Sequence, residues 1–316
     1  MRAVRARVLP ASIIVLVAIP AVARAQSNEF EDPYDVPTAP RPPTLPELTH
    51  SEIEGTLETT AGALIPTAGG VWTHAYVQRL AIEVPLALRR WYVGTSYEVA
   101  AGGTASTFKA VGGNLALEGR TVWATQTGLA FGGGMALMLP TASYGPGTDG
   151  AVVALNAATL RPWDLTYFTP GVVGLRPYVD VRALLGPFIA QFRQGLDVTV
   201  SPAEIGQRNL YATTGVYFGW AATSQLAVGL EAFEAYAIQV QKGGLLSQDV
   251  HDGERAALVV SPNVRLSLPW VQPAISMFTN VGTPLFGANE SMWGFRFAFT
   301  VVYDPNATLK VRTATP

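Results

Sequence analysis

Residues 293–303 read WGFRFAFTVVY, and the order of side chains in this stretch decides the fold. Trp293, Phe295, Phe297, Phe299, Val301 and Tyr303 share one parity, while Gly294, Arg296, Ala298 and Thr300 share the other. Successive side chains of a β-strand point to opposite faces, so this alternation predicts a strand with one aromatic face and one small, polar face. In a water-soluble sheet the aromatic face would be the core. In a strand that crosses lipid around an aqueous lumen, the aromatic face is the outermost one.

The same division recurs upstream. In Arg255 to Leu268, Leu258, Val260, Val264, Leu266 and Leu268 oppose Arg255, Ser261, Asn263, Arg265 and Ser267, with Pro262 a blemish in mid-strand. Val179, Val181, Ala183 and Leu185 oppose Arg176, Tyr178, Asp180 and Arg182, and Leu115, Leu117 and Trp123 oppose Asn114, Glu118 and Arg120. Four strands that place charge on a single face argue against chance.

Composition decides between core and lipid. Hydrophobic residues make up 49% of the 316-residue chain and charged residues 14%, against about 25% charged in ordinary soluble domains. The mean hydropathy is +0.24. Yet beyond residue 25 no apolar run approaches the roughly 18 residues of a spanning helix. A closed barrel is the other way to satisfy backbone hydrogen bonds in hydrocarbon, so the sequence predicts an all-β, transmembrane, antiparallel up-and-down barrel of about 12 strands.

The chain divides into four parts. Residues 1–25 resemble an export signal: Arg2, Arg5 and Arg7 precede an apolar stretch from Val8 to Val22, and Ala23-Arg24-Ala25 is a small-x-small cleavage site. The mature chain is then expected to begin at Gln26. Cleavage removes four of the 21 basic residues and no acid, leaving 17 against 23 acidic ones. A mildly acidic protein lacks the basic face of a nucleic-acid binder. Residues 26–51 form a periplasmic segment with prolines at 33, 37, 40, 42, 43 and 46, a density that favours an extended spacer. Residues 52–303 are the barrel, and 304–316 a C-terminal tail. With no cysteine in the chain, disulfides, thiolate metal sites, a cysteine nucleophile and a lipoprotein anchor are excluded.

Twelve strands are predicted near 53–64, 71–84, 90–101, 113–124, 128–139, 151–160, 172–186, 208–220, 225–240, 255–268, 272–282 and 292–303. The count is even, as single-chain bacterial barrels require. Short turns at 125–127, 221–224 and 269–271 fall at the periplasmic end, with longer external loops at 101–112, 140–150, 187–207 and 241–254. The turn at 161–171 breaks this trend, and 187–207 has room for strand extensions projecting above the membrane. On this plan Trp293, Phe295, Phe297, Phe299 and Tyr303 face lipid. Arg79, Glu83, Glu98, Glu118, Arg120, Arg176, Asp180, Arg182, Glu231, Arg255, Arg265 and Arg296 line the lumen. Seven arginines against five acids leave a small positive excess, with the acids concentrated on the early strands and the arginines on the late ones.

Other motifs are weaker. Gly145 to Gly150 has the spacing of a dinucleotide fingerprint, but that motif needs a helix behind it, and 151–160 reads as a strand. Gly132-Gly133-Gly134 leaves room in the lumen or against a neighbouring wall. A hydrolase barrel needs a serine and a histidine base near one rim; of His50, His74 and His251, only His251 is suitably placed. Asp249, Asp252 and Glu254 read as a solvated acidic loop in preference to a calcium site. Asn289-Glu290-Ser291 and Asn306-Ala307-Thr308 read as ordinary polar residues. No cofactor, metal or catalytic residue is expected.

Three places resemble a family of bacterial outer-membrane proteins associated with meta-pathway phenol degradation or transport: Gly112-Gly113-Asn114-Leu115 opening a strand, Leu139-Pro140-Thr141 closing the next, and the aromatic terminal strand. The family tends to carry aspartate where Asn114 stands and glycine where Ala142 stands. The resemblance implies passage of small, in part aromatic, compounds and carries over no catalytic residue.

The function expected is an outer-membrane channel or transporter for small solutes through a narrow, charge-lined lumen. Its partners would be outer-membrane lipid, small solutes and the barrel assembly machinery. The competing expectations are a structural or interaction barrel with an occluded lumen, and an outer-membrane hydrolase. A barrel of about 12 strands falls between small, side-chain-filled barrels and open 16-stranded porins.

Overall fold

The computed structural model describes Leu45, residues 48–50 and residues 52–303, apart from 67–71, 87–89, 105–106, 146, 202–207, 241–254, 269 and 283–288. The predicted signal peptide, most of the proline-rich segment, the tail, His251 and the acidic cluster at 249–254 lie outside the described residues. So does Asn306-Ala307-Thr308.

The strands are β1 (Ile53–Pro66), β2 (Thr73–Pro85), β3 (Trp91–Thr104), β4 (Thr107–Gly112), β5 (Leu115–Ala124), β6 (Leu129–Leu139), β7 (Val173–Leu185), β8 (Phe188–Val200), β9 (Arg208–Ala221), β10 (Leu226–Gln239), β11 (Ala256–Leu266), β12 (Val271–Val281) and β13 (Asn289–Tyr303). Each pairs antiparallel with its neighbour, and β13 returns to β1, so the sheet closes on itself. β4 and β5 both pair with β3, end to end, and occupy one place in the wall. The barrel is therefore closed with 12 positions, and closure leaves no sheet edge exposed to hydrocarbon.

Two expectations about these strands are corrected. Residues 151–160 are not a strand; Asp149–Leu160 is a helix, here α1. Its sequence, DGAVVALNAATL, is rich in alanine, the best helix former. Pro162, just beyond its last residue, stops it. Apolar residues lie on several sides because α1 is enclosed, and a helix apolar all round shows no clear stripe. Conversely, 187–207 is not an external loop, because β8 fills most of it. Gln191, Asp197 and Thr199 are buried there and share the inward parity with Arg193; read without a lumen, such polar residues look like loop. The false strand and the missing strand cancel, which is why the count was right.

Three connections change with them. Residues 161–171 are part of one long connection, 140–172, between β6 and β7, and 186–187 is a short turn at the opposite end. The loop expected at 101–112 is largely strand, split at Gly113-Asn114. The short turns at 125–128, 186–187 and 222–225 lie at one end of the barrel, and the connection that holds α1 at the other.

No helix among the described residues is long and apolar enough to cross a membrane. The outer surface carries Leu57, Leu80, Trp91, Trp123, Phe131, Phe188, Phe218, Phe297 and Phe299, each well exposed. A belt of that extent exceeds what a soluble monomer leaves in water. Pro262 is accommodated by a local gap, since β11 pairs with β12 at Leu258–Val260 and again at Asn263–Arg265 but not between.

Candidate functional site: a charged lumen between two fillers

The lumen is occupied from both ends. From the long-loop end, α1 packs against β1 to β4 and β13. Leu160 and Trp163 join Leu64, Tyr211, Phe233 and Phe278 in one buried cluster, while Val153, Ala154, Ala157 and Phe168 join Val77, Ala100 and Met138 in another. The alanines of α1 let its backbone approach the wall, and a Cβ on Gly62 would run into Leu160. The segment after α1 is fastened where β4 gives way to β5. There the Asn114 backbone N–H donates to the carbonyl of Tyr167 at 2.6 Å, and its side-chain amide donates to those of Thr166 and Thr169 at 3.0 and 2.7 Å.

Arg161, at the end of α1, ties this filler across the barrel. Its Nη1 donates to Glu58 of β1 at 2.5 Å and to the Thr60 hydroxyl at 2.7 Å; its Nη2 donates to Glu98 of β3 at 3.1 Å and to Asp164 at 2.5 Å. Asp164 in turn accepts from Arg176 of β7 at 3.3 Å, on the far side of the ring. Arg176 also donates to the Trp163 carbonyl at 2.6 Å and to Asp197 of β8 at 2.7 Å. Burial opposes ionisation of Asp164, but Arg161, Arg176 and Arg79 overcome it and hold its pKa at about 2.

From the short-turn end comes the last part of the segment expected in the periplasm. Leu45, Leu48, Thr49 and His50 are buried inside the barrel. Leu48 packs on Tyr92, Val122 and Ala130, and Leu45 on Leu184, Ile189 and Tyr217. Glycine makes each seat: a Cβ on Gly132 would lie 2.6 Å from Leu48, and one on Gly215 would lie 2.8 Å from Leu45. Arg120 donates to the Leu48 carbonyl at 2.9 Å while clasping Glu83 through two nitrogens.

Between the fillers is a cavity of about 210 Å³, with both signs of charge in its lining. Of the residues predicted to line the lumen, Glu98, Arg120, Asp180, Arg182, Glu231, Arg265 and Arg296 are buried at inward positions. Arg79, Glu83, Glu118, Arg176 and Arg255 are partly exposed at inward positions. The fold brings Arg79 to 3.7 Å from Glu98, and Arg296 to 3.5 Å from Glu231. Tyr178 donates to Glu118. Phe295, Phe297, Phe299 and Tyr303 are exposed on the outer surface, with Trp293 half-buried beside Phe295.

The sequence reading missed Glu54, Glu58, Arg161, Asp164, Arg193 and Asp197. Arg193 grips Asp180 through two hydrogen bonds of 2.9 and 2.7 Å and lies 3.6 Å over the Tyr178 ring. The period-two spacing of Gln191, Arg193, Gly195, Asp197 and Thr199 was the available signal for that pair. Adding two arginines and four acids to seven and five gives nine of each among these named residues, so the positive excess expected of the first twelve disappears. Glu54, Glu58, Glu83, Glu98 and Glu118 lie on β1 to β5 together with Arg79 and Arg120, and Arg176, Arg182, Arg193, Arg265 and Arg296 on β7 to β13 together with Asp180, Asp197 and Glu231.

A helix does open behind Gly145 to Gly150, so the ground on which the dinucleotide fingerprint was set aside is corrected. It lacks the parallel βαβ unit that motif requires, because β6 and β7 are antiparallel neighbours. His74 is exposed on the outer face. No group of His, Cys, Asp and Glu among the described residues could hold a metal ion.

Among solved structures, an outer membrane channel from Pseudomonas putida F1 matches 84% of this chain and 100% of its own, with a TM-score of 0.62 at 10% identity. The chain shares the fold of that outer-membrane β-barrel. The KdgM porin matches 79% of this chain and 99% of its own, with a TM-score of 0.45 at 8% identity. At such identities the likeness is one of fold. No protein-family model matches the chain, and no curated protein matches it significantly.

Proposed function

We propose that this barrel is an outer-membrane channel for small polar solutes, its bore set by the inward loop and the N-terminal arm. The observation that carries this reading is the cavity of about 210 Å³ lined by opposed arginines and carboxylates. A lumen serving only as a core would be filled by apolar side chains, whereas one that admits water keeps its charges on the wall. An acidic wall facing a basic one creates a transverse field that orients dipolar solutes and disfavours apolar ones. The lining assigned to the path is Arg79, Glu83, Glu118, Arg176, Arg193, Arg265 and Arg296. The Pseudomonas putida protein is described as an outer membrane channel, and its shared fold is compatible with this reading.

The same reading takes residues 1–25 as a cleaved export signal, with Gln26 as the first mature residue, and the barrel assembly machinery as the route of insertion into lipid. Terminal sequencing of the mature protein tests the first point. Planar-bilayer conductance and liposome swelling with sugars and amino acids of graded size test the channel. Discrete conductance steps and faster swelling with the smaller solutes are expected. Conductance at the lipid baseline from folded protein, even after both fillers are loosened, favours the second reading, an occluded barrel that binds partners through its loops. That reading is motivated by the two filled ends.

A further inference from the structure

We propose that His50 is a protonation-controlled latch: it holds the N-terminal arm inside the short-turn end of the lumen while its ring carries both protons, and releases the arm when it loses one.

The argument begins with donors and acceptors. Nδ1 of His50 lies 2.8 Å from the carbonyl oxygen of Glu52, which can only accept, so Nδ1 must carry a proton. Nε2 lies 2.5 Å from Oε1 of Glu83. Glu83 also accepts from Arg120 through both of its oxygens, as an ionised carboxylate does, so Nε2 must donate as well. A ring that donates from both nitrogens is an imidazolium. A neutral ring keeps only one proton and would set a lone pair against an oxygen.

The surroundings support the charged form. Glu83 of β2 touches the ring and Glu54 of β1 lies 3.8 Å from Nδ1, while Arg120 of β5, which shares Oε1 of Glu83 with the ring, opposes the charge. Tyr92 of β3 stacks on the ring at 4.7 Å between centroids, and its hydroxyl exchanges hydrogen bonds with the His50 backbone at 3.2 and 3.1 Å. Burial works against the charge, but the hydrogen bond to Glu83 and the charges of Glu54 and Glu83 outweigh it and hold the His50 pKa above its ordinary value. A group with a raised pKa contributes fully below its unperturbed value, near 6.5, and loses that contribution as pH rises through the raised one. The latch therefore opens toward alkaline pH. The side chain of His50 is 1% exposed, so losing the charge leaves a ring lone pair facing an oxygen with little water to relieve it.

The absence of native cysteine allows a direct test. Thr49, 2% exposed and next to the latch, is replaced in the full-length protein, Thr49→Cys, and labelled with a methanethiosulfonate reagent across pH 6–9. Rates are normalised to a cysteine at Ser224, an exposed turn position. The normalised rate is expected to rise about tenfold with pH, and to become flat when His50→Gln or Glu83→Gln is added. Heat-modifiable migration checks the folding of each variant. A flat profile in Thr49→Cys alone, or the same pH dependence with and without His50→Gln, overturns the proposal. Only its consequence for flow rests on the channel reading. Labelling that follows pH while bilayer conductance stays at baseline would sustain the latch and defeat the channel.

Discussion

Arg161 and Glu58, separated by 103 residues in the chain, meet at 2.5 Å inside the barrel. Their contact ties the segment between β6 and β7 to the wall of β1. The guanidinium also holds Glu98 and Asp164, so a single cation bridges three carboxylates, with Arg79 beside Glu98 and Arg176 beside Asp164 supplying further positive charge. Removing one member of a buried pair typically costs about 3–5 kcal/mol, because the other charge stays buried and unmatched.

Arg161→Gln is accordingly expected to lower the urea midpoint of unfolding and to raise conductance as the filler loosens. Glu58→Gln combined with Arg161→Gln should recover part of the lost stability, since fewer uncompensated charges remain. Equal stability of wild type and Arg161→Gln in equilibrium unfolding would show that the contact is not holding the filler in place.

The filler should withstand acid. With its pKa held at about 2 against roughly 3.9 when unfolded, Asp164 contributes stability above about pH 4, and the contribution disappears as pH falls through about 2. Conductance measured between pH 4 and 6 should show no release of this filler. Asp164→Asn should show the wild-type response to moderate acid but a lower stability at neutral pH.

At the other end of the lumen, Gly132 is the seat of Leu48. Gly132→Leu places a branched side chain where Leu48 now lies, and the arm has no other space beside Val122 and Ala130. The variant should fold, because the wall pairing of Gly132 with Val122 and Asp180 is backbone pairing. Limited proteolysis should then cut the arm several times faster than in wild type. Wild-type resistance would place Leu48 elsewhere.

Facing is tested on β13. Phe297 is 42% exposed on the outer surface and Arg296 is 2% exposed on the inner one. Arginine on the lipid face near the midplane costs about 2–4 kcal/mol. Phe297→Arg should therefore reduce folding yield in lipid far more than Ala298→Arg, which puts the same charge into the lining of the cavity. Comparable yields for the two would reverse the assignment.

Ion selectivity should be weak, given nine inward residues of each sign. Arg265→Glu with Arg296→Glu changes that balance by four charges and should move the reversal potential in a salt gradient toward cations. An unmoved potential in a conducting double variant would take these arginines off the permeation path.

Much of this was legible in the chain. WGFRFAFTVVY announces its two faces because lipid and lumen select opposite side chains at alternate positions, and the inward charges of β2, β3, β5, β7 and β11 follow from the same parity. Closure was legible too, since nothing else satisfies the backbone of so apolar a chain without spanning helices. The contents of the lumen were not. Parity says which way a strand residue points, and it is silent about a helix enclosed on all sides, so α1 passed for a strand. Nor does any local pattern link Arg161 to Glu58, or Leu48 to Gly132. Those contacts exist only once the ring has closed.

The two fillers enter from opposite mouths, one as an insert between neighbouring strands and one as the chain's own leading end. Neither has to be threaded past the other, so each can leave alone. For an ion, they are two resistances in series, and the total is governed by the larger. Relieving the lesser constriction changes the current little while the greater one stands, and the effects of loosening both multiply where single changes looked slight. Under the proposed channel function, such a barrel carries its largest current when the events acting on its two ends overlap in time.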